Sequence, residues 1–396
     1  MLPFPENPPC PPLPKGGIAS KKIMLVAGEA SGEQHGAELV RALKKYPAEF
    51  YFYGVGGRQM REAGVDILVD CAELAVMGFG DVIKHLPQIL RVFKQLKQTL
   101  INNRPDLLIL IDYPGFNLRL AALAKKLGIK VLFYISPQVW AWRQGRVKKI
   151  AKVVDHMAVI FPFEVDFYQG HHVPVTYVGH PLTHVVKPTC SVETAKQKFA
   201  LSSHAPVIGL LPGSRQREIQ RLLPPMLQAA EKIKTQLPNA EFVLPLASTI
   251  TQDDLTPFLA QTTLKIKLIE NQTYDAMNVC DALIVSSGTA TLETALLLKP
   301  MVIVYKVPRL TASLLKHFIK IENIGLCNVV AGKRIVPEFL QNDVNAEKLS
   351  QAILEMLENG VHRDSIINEL KIVRDKLGTL DGSENVAKLA YTMLSI

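Results

Sequence analysis

The chain has 396 residues, of which 48% are hydrophobic and 20% charged, and its formal net charge is +9. This balance is typical of a folded globular protein and excludes a disordered chain. The length predicts two domains, because it exceeds what one ordinary core supports. The sequence has no run of about 20 apolar residues, so no membrane span is expected. A positive net charge suits nucleic acid, anionic lipid or phosphorylated substrates equally well, so the charge alone does not choose between these partners.

In chain order, the first 20 residues are rich in proline and predict a flexible extension. From residue 21 onward, apolar strands alternate with helical patterns, and the strands read KKIMLVAG, EFYFYGVGG, DLLILID and KVLFYIS. Strands that alternate with helices predict an α/β fold with a parallel, doubly wound sheet. We therefore expect a Rossmann-like first domain over residues 21–190.

A polar segment without a strand, at about 180–205, precedes a second alternation. Its strands read VIGLLPGS, EFVLPLA, LKIKLIE, ALIVSS and MVIVYKV, and they predict a second Rossmann-like domain over residues 200–375. Two consecutive units of similar size predict a ligand-binding cleft between domains. The segment 345–396 is predicted to be helical, with its final part, 376–396, crossing back to the first domain.

Two strand ends of the first domain carry candidate functional residues. DLLILID ends on Asp112 at a Tyr-Pro-Gly turn, and ligands of open α/β sheets bind outside the carboxyl ends of strands. The alternative is an acid that only starts the turn or caps the next helix. The turn AGEASGEQHG offers Gly28, Ser31 and Gly32 to an anion or to sugar hydroxyls, unless Ser31 simply caps the helix.

A strand–helix turn in the second domain predicts an anion site. LLPGSRQREI places Ser214 and Arg215 where a strand ends and a helix begins. A helix N-terminus favours acids, so an arginine there indicates a bound anion such as a diphosphate. The alternative is an arginine that points to solvent or pairs with Glu218.

A second turn repeats this theme in ALIVSSGTATLE. Its candidate ligands for phosphate are hydroxyl and backbone N–H groups of Ser286, Ser287, Gly288 and Thr289. Glu293 follows on the helix, where a carboxylate can hold ribose hydroxyls or simply interact with the helix dipole. The two turns together favour a nucleotide-diphosphate site.

Two segments combine apolar or aromatic residues with basic ones. Segment 73–100 is apolar at helical spacing and carries Met77, Lys84, Arg91, Lys94 and Lys97. The segment ISPQVWAWRQGRVKKI carries Trp140, Trp142 and Arg143. Core packing with a solvated basic face is one interpretation, and docking on an anionic membrane or an acyl-chain groove is the other.

These motifs resemble the lipid-A-disaccharide synthase family, bacterial glycosyltransferases of the GT-B fold. The resemblance runs from about residue 23 to 332 and rests on VAGEASGE, ELAVMGF, IDYPGFN, SPQVWAWRQGRVKKI, PFE, VGHPL, LLPGSRQREI, SSGTATLE and NVVAG. SPQVWAWR and LLPGSR together are specific, unlike a lone glycine loop. The family usually has Asp at the position of Glu33, so no role is assigned to that carboxylate.

The resemblance implies that UDP-2,3-diacylglucosamine donates its sugar to 2,3-diacylglucosamine 1-phosphate, giving a β-1,6-linked disaccharide 1-phosphate and UDP with inversion. Asp112 would be the general base, and Glu29 would assist it or position a sugar. Arg215 and the helix N-termini would stabilise the leaving diphosphate in place of a metal, and no cofactor is expected. Glu293 would hold the ribose, and Asn328 would line the nucleotide pocket.

The resemblance also implies a homodimer at the cytoplasmic face of the inner membrane, as a peripheral protein. Five cysteines that lie far apart, without a CxxC pair, agree with a reducing compartment and argue against structural zinc. No nucleic-acid partner is expected, because no helix-turn-helix or RNP-like signature occurs.

The alternative functions are a UDP-N-acetylglucosamine 2-epimerase, another GT-B transferase with an undecaprenyl-linked acceptor, or a non-catalytic nucleotide-sugar or phospholipid binder.

Overall fold

The computed structural model describes residues 20–74, 79–141, 144–308 and 322–395. Within these ranges the chain forms two compact units. The first unit holds the described residues up to His180 together with those from Leu380 onward, and the second spans Pro181–Thr379. Residues 181–190, which were predicted to end the first domain, therefore belong to the second unit. Residues 1–19 lie outside the described ranges, so the predicted flexible extension in the proline-rich segment is not tested.

A parallel sheet of seven strands forms the centre of the first unit. Its strands are β1 (Lys21–Ala27), β2 (Phe50–Gly56), β3 (Asp66–Asp70), β4 (Leu107–Ile111), β5 (Lys130–Tyr134), β6 (His156–Val159) and β7 (Val175–Tyr177). They pair in the order β3-β2-β1-β4-β5-β6-β7. The central strand β4 is apolar along its whole length because helices cover both faces of the sheet, and every residue of β4 is buried.

The helices of the first unit connect these strands. They are α1 (Ala30–Leu43), α2 (Arg58–Glu62), α3 (Phe79–Asn103), α4 (Pro114–Lys126), α5 (Val147–Val153) and α6 (Phe163–Gln169), with short 3-10 turns at Cys71–Glu73 and Gln144–Arg146. Proline at the first position of α4 starts that helix sharply after β4. Among the described residues, no helix is long and apolar enough to cross a bilayer.

The second unit repeats the architecture around six parallel strands. The strands are β8 (Val207–Leu211), β9 (Glu241–Pro245), β10 (Ile266–Ile269), β11 (Ala282–Ser286), β12 (Met301–Tyr305) and β13 (Glu338–Leu340). They pair in the order β10-β9-β8-β11-β12-β13. This is the order of a dinucleotide-binding sheet, so the predicted α/β fold with two Rossmann-like sheets is confirmed.

Helices again flank the strands of the second unit. They are α7 (Leu182–Val185), α8 (Val192–Lys198), α9 (Gln216–Gln236), α10 (Gln252–Leu259), α11 (Thr273–Asn278), α12 (Thr289–Leu296), α13 (Leu326–Ala331), α14 (Ala346–Glu358) and α15 (Gly360–Leu377), with a 3-10 turn at Gln341–Asp343. The long α9 packs against α14. Its buried face repeats at helical spacing, with Ile219, Leu223, Met226 and Ala230 among its members.

A last helix, α16 (Gly382–Met393), packs against α1 in the first unit. Val386, Ala387 and Ala390 are fully buried there and join the core around β1 and β4. Tyr391 stacks on Tyr46 of the first unit with ring centroids 4.6 Å apart. The C-terminal residues therefore complete the first core.

Candidate functional site

The strand order reverses once in each sheet, and the predicted functional turns follow the strands on either side of the reversal. In the first unit these strands are β1 and β4, and in the second they are β8 and β11. Connections from two such strands leave to opposite faces of the sheet, which opens a crevice at the carboxyl ends. The sequence-predicted residues therefore gather in two groups, one in each unit.

The chain after β4 makes a strained turn at Asp112. Asp112 and Tyr113 both have left-handed backbone conformations, with φ of 48° and 47°, which cost energy in residues other than glycine. The backbone N–H of Asp112 donates to the Tyr134 carbonyl at 2.9 Å. Fully buried Asn117 donates from Nδ2 to the Asp112 carbonyl at 2.8 Å. These bonds hold the aspartate at the sheet edge.

Burial and charge together perturb the Asp112 carboxyl. Burial raises its pKa to about 6, the negative charge of Glu29 adds to this rise, and the backbone N–H of Tyr113 and the charge of His35 oppose it. Asp112 and the predicted Glu29 are thus close enough to interact electrostatically. A carboxyl with a pKa of about 6 is suited to accept a proton near neutral pH.

The turn after β1 fits closely against the Asp112 turn. Gly28 lies under the ring of Tyr113, and a Cβ on Gly28 would stand 2.5 Å from Cδ1 of that ring. The helix begins at Ala30 with Glu29 as its N-cap, so Ser31 is inside the first turn and does not cap the helix. Gly32 is buried beside Ala27 and Ile111, and Ser31 is exposed.

Glu33 has a structural role in this region. Its Oε1 accepts a hydrogen bond from the backbone N–H of Gln59 at 2.7 Å, at the start of α2. The carboxylate also fills the space beside Gly57, where a Cβ would stand 2.7 Å from it. Glu33 therefore stabilises the N-terminus of α2.

The second unit contains a cavity of about 700 Å³ at the carboxyl ends of its strands. This volume lies in the range of small-molecule sites. The predicted residues that line it are Ser214, Arg215, Ser286, Ser287, Gly288, Thr289 and Glu293. The structure thus brings together the two turns that the sequence suggested for a diphosphate.

The start of α9 lies in the wall of this cavity. Gly213 has φ +114°, a conformation that favours glycine, and Arg215 is the N-cap of the helix. Arg215 donates from Nη1 to Oε1 of Glu218 at 2.9 Å, and its side chain is 74% exposed. Arg215 therefore pairs with Glu218, as the alternative interpretation predicted, and its guanidinium is still exposed in the cavity wall.

The turn between β11 and α12 forms the next part of the wall. Ser287 Oγ donates to the Ile324 carbonyl at 2.9 Å, which fixes the turn, while Gly288 and Thr289 are exposed at the helix start. Tyr274 donates from its hydroxyl to Oε1 of Glu293 at 3.3 Å. Burial raises the pKa of Glu293, and the Tyr274 hydrogen bond opposes that rise.

Asn328 was predicted to line the nucleotide pocket, and this prediction is wrong. Its side chain is fully buried. Nδ2 donates to the Val336 carbonyl at 2.9 Å and to Glu338 at 2.8 Å, while Oδ1 accepts from the N–H groups of Ile335 and Val336. All four hydrogen-bonding positions of the amide are used, so Asn328 holds the loop between α13 and β13 instead of a ligand.

Trp140 was a candidate for lipid contact, with core packing as the alternative, and the structure places it inside the first unit. It is only 7% exposed, and its Nε1 donates to Oε1 of Glu164 at 3.1 Å. The same oxygen accepts a hydrogen bond from Ser136, and Oε2 accepts one from the backbone N–H of Phe161 at 3.1 Å. Trp140 therefore anchors the segment after β5. Trp142 and Arg143 lie outside the described residues.

The basic residues of α3 that the structure describes lie on its exposed side. Arg91, Lys94 and Lys97 are exposed, whereas Val92, Leu96 and Leu100 on the opposite side are buried in the core. Met77 lies outside the described residues, as does the side chain of Lys84. Leu86 and Leu90 are exposed on the same helix, at 44% and 54%.

Sequence reasoning missed several residues that shape the two sites. Asn117 and Glu164 lie in IDYPGFN and PFE, which entered the prediction only as marks of resemblance. Tyr274 contacts Glu293. Gln272 lines the cavity with a buried Oε1 that accepts no hydrogen bond from the described residues. Spacing in the sequence gives no signal for Gln272 and Tyr274, because they lie at the start of the short helix α11, whose position depends on the fold.

Comparison with known proteins assigns this arrangement of motifs to one family. A family model described as lipid-A-disaccharide synthetase matches residues 23–385. The lipid-A-disaccharide synthase of Geobacter sulfurreducens is 48% identical over 375 residues, which cover 95% of this chain and 98% of that protein.

Solved structures share the fold at low sequence identity. A UDP-GlcNAc 2-epimerase from Neisseria meningitidis bound to UDP-GlcNAc has a TM-score of 0.58 at 13% identity, covering 94% of this chain and 99% of that one. A glycosyltransferase from Rickettsia africae has a TM-score of 0.57 at 14% identity, covering 96% and 99%. An epimerase and a transferase are equally similar, so the fold alone does not separate these two activities.

The buried Glu164 cluster predicts a measurable loss of stability. Glu164→Ala removes the acceptor of Trp140, Ser136 and the Phe161 N–H, so we expect the free energy of unfolding, measured in urea, to fall by about 3 kcal/mol. Asp166→Ala on the exposed side of α6 is the control and should change it little.

The pH dependence distinguishes the charge of Glu164 from its hydrogen bonds. Burial raises the pKa of Glu164 from 4.5 to about 7, so its protonated form favours folding below pH 4.5 and that contribution is lost as pH rises through 7. Glu164→Gln should lack this decline between pH 4.5 and about 7. An identical pH dependence in wild type and Glu164→Gln would contradict the assignment.

Proposed function

Since the chain belongs to the lipid-A-disaccharide synthetase family, we propose that it transfers a diacylglucosamine from UDP-2,3-diacylglucosamine to 2,3-diacylglucosamine 1-phosphate. The products are the β-1,6-linked disaccharide 1-phosphate and UDP. The observation that carries this proposal is the 48% identity to a lipid-A-disaccharide synthase along nearly the whole length of both chains. A fold shared with epimerases would not be sufficient.

In the proposed reaction the first unit supplies the base. The acceptor 6-hydroxyl loses its proton to the Asp112 carboxylate as its oxygen attacks C1 of the donor sugar. A new C1–O6 bond forms, the bond from C1 to the diphosphate breaks, and UDP leaves with the electron pair. The strained, hydrogen-bonded turn at Asp112 supports this role, because it fixes the backbone that carries the carboxylate before the substrate binds.

Glu29 has a positioning role in this proposal. Its charge contributes to the raised pKa of Asp112, which makes Asp112 a stronger base. Ser31, which is exposed in the same turn, then contributes to the surface that contacts a sugar, whereas Gly32 is buried and packs against Ala27 and Ile111.

The second unit supplies the donor site. Arg215, the N-terminus of α9 and the turn from Ser286 to Thr289 surround the cavity where a diphosphate would lie. These groups favour the negative charge that develops on the leaving UDP. Glu293 then holds the ribose hydroxyls, with Tyr274 orienting its carboxylate through the hydrogen bond between them.

We further propose that α3 docks the protein on an anionic membrane surface, from which the acylated substrates enter. Leu86, Leu90, Lys94, Lys97 and Ile101 follow one another at intervals of three or four residues and are all exposed. They therefore form one stripe along the helix. Apolar side chains with flanking lysines suit an interface rich in anionic headgroups. The cytoplasmic face of the inner membrane and the homodimer that the resemblance implies stay predictions.

The reaction is tested with purified protein, UDP-2,3-diacylglucosamine and 2,3-diacylglucosamine 1-phosphate. We expect UDP and the disaccharide 1-phosphate to appear in equal amounts, followed by chromatography and mass spectrometry. Interconversion of UDP-N-acetylglucosamine at C2 would identify an epimerase, and UDP release without disaccharide would indicate another acceptor. Either result would contradict the proposal.

Asp112→Asn removes the proposed base and should lower kcat by roughly 10²–10⁴-fold. In wild type, kcat/KM should fall tenfold per pH unit below about pH 6, because the base with that pKa becomes protonated, and should be level above it. Asp364→Asn, exposed on α15, is the matched control and should keep wild-type activity. Full activity of Asp112→Asn would exclude Asp112 as the base.

Neutralising Lys84, Arg91, Lys94 and Lys97 together to glutamine should reduce binding to anionic vesicles at least roughly tenfold, since each basic residue near such a surface contributes about 1 kcal/mol. Vesicle sedimentation measures the change, with phosphatidylcholine vesicles as the uncharged reference. Glutamine at exposed Lys126, Lys265, Lys371 and Lys388 gives a control with the same change in net charge. Equal losses in the two variants would refute a specific α3 surface.

A further inference from the structure

The Glu218 carboxylate holds both groups that the proposed donor site offers at the start of α9. Its Oε1 pairs with Nη1 of Arg215 at 2.9 Å. Its Oε2 accepts a hydrogen bond from the backbone N–H of Ser214 at 3.2 Å. The same oxygen lies against Gly213, where a Cβ would stand 2.3 Å from it. One side-chain anion therefore fills the position in front of this turn.

The position is one where a helix favours negative charge. α9 has 21 residues, and the N–H groups and the dipole at its start attract anions. Glu218 lies in the first turn of the helix and lines the cavity together with Ser214 and Arg215. A phosphate group in the cavity would form bonds with the same N–H and the same guanidinium.

We infer that Glu218 is a replaceable anion: the diphosphate of the incoming nucleotide displaces its carboxylate from Ser214 and Arg215, and the carboxylate returns when the nucleoside diphosphate leaves. The inference rests on the proposed function for the identity of the ligand. It gives Glu218 a part in the selection and release of the nucleotide, apart from the transfer of the sugar.

The exposure of the pair makes this exchange easy. The Arg215 side chain is 74% exposed and that of Glu218 30%, and ion pairs with such exposure are weak because water screens them. The carboxylate can therefore leave at little cost and be solvated. A buried pair would instead oppose ligand binding strongly.

The exchange also favours the binding of ligands with two phosphates over ligands with one. A diphosphate contacts the turn with more charge and more oxygens than a monophosphate, so it offsets the loss of the Arg215–Glu218 pair more fully. After transfer of the sugar, the returning carboxylate competes with UDP for Arg215 and speeds its release. Glu218 should thus weaken the binding of all phosphate ligands, but leave the binding of uridine unchanged.

A competing role for Glu218 predicts the opposite result. If Glu218 positioned Arg215 for the ligand, its loss would disorder the guanidinium and weaken diphosphate binding. The sign of the change therefore distinguishes a replaceable anion from a positioning residue.

The test uses the full chain and isothermal titration at low ionic strength, with inorganic diphosphate, UDP, UMP and uridine as ligands. We expect Glu218→Gln to bind diphosphate and UDP about fivefold more tightly than wild type, because one negative charge near the phosphates is removed. UMP should gain less, and uridine should not change. Glu358→Gln, exposed at the end of α14 and outside this cavity, carries the same charge change and should show no gain.

Unchanged or weaker diphosphate binding by Glu218→Gln would overturn the inference. So would an equal gain in affinity in Glu358→Gln, or the absence of diphosphate binding by both wild type and Glu218→Gln. These results are separate from a failure of the proposed function. If Glu218→Gln binds diphosphate more tightly but the wild-type protein makes no disaccharide, the inference about Glu218 stands and the proposed reaction is rejected.

Discussion

The reversal of strand order in each parallel sheet is the constraint on which both groups of candidate functional residues depend. At β1 and β4, and again at β8 and β11, two adjacent strands send their connections to opposite faces of the sheet. The chain ends of these strands therefore separate, and backbone N–H groups and side chains remain accessible in the gap. The Asp112 turn after β4 and the Ser286–Thr289 turn after β11 occupy equivalent positions in the two sheets. Their chemistry differs, because one presents a carboxylate and the other presents hydroxyl and backbone N–H groups.

The central strands could be predicted from the sequence because their environment is uniform. A strand such as LLILI of β4 is covered by helices on both faces, so every position is apolar and the run stands out. The strands β3, β6, β7 and β13 were not predicted. They have only three to five residues and lie at or near the ends of the sheets, where polar residues such as Asp66 or Glu338 are tolerated and an apolar run is too short to recognise.

Candidate site residues could be predicted where the rule is geometric. Asp112, Arg215 and the Ser286–Thr289 turn follow strands, and the ends of parallel strands meet at one edge. The prediction for Asn328 was wrong, and for Trp140 the structure agrees with the core-packing interpretation and not with lipid contact. A polar or aromatic residue in a recognisable motif can serve an internal hydrogen bond as readily as a ligand. Trp140 donates to Glu164, and Asn328 has its whole amide engaged by one loop. Such partners lie far along the chain or depend on the exact path of a loop, and no spacing rule identifies them.

The return of the last helix to the first unit has a consequence for synthesis on the ribosome. Val386, Ala387 and Ala390 of α16 are fully buried against α1, in the core that also holds β1 and β4. This core therefore lacks part of its apolar surface until α16 has been translated, whereas Pro181–Thr379 are complete earlier. The unit that begins first is finished last, and its nascent form exposes the α1 surface for the whole time that the second unit is made. A chaperone that binds apolar helix surfaces would have its longest opportunity there.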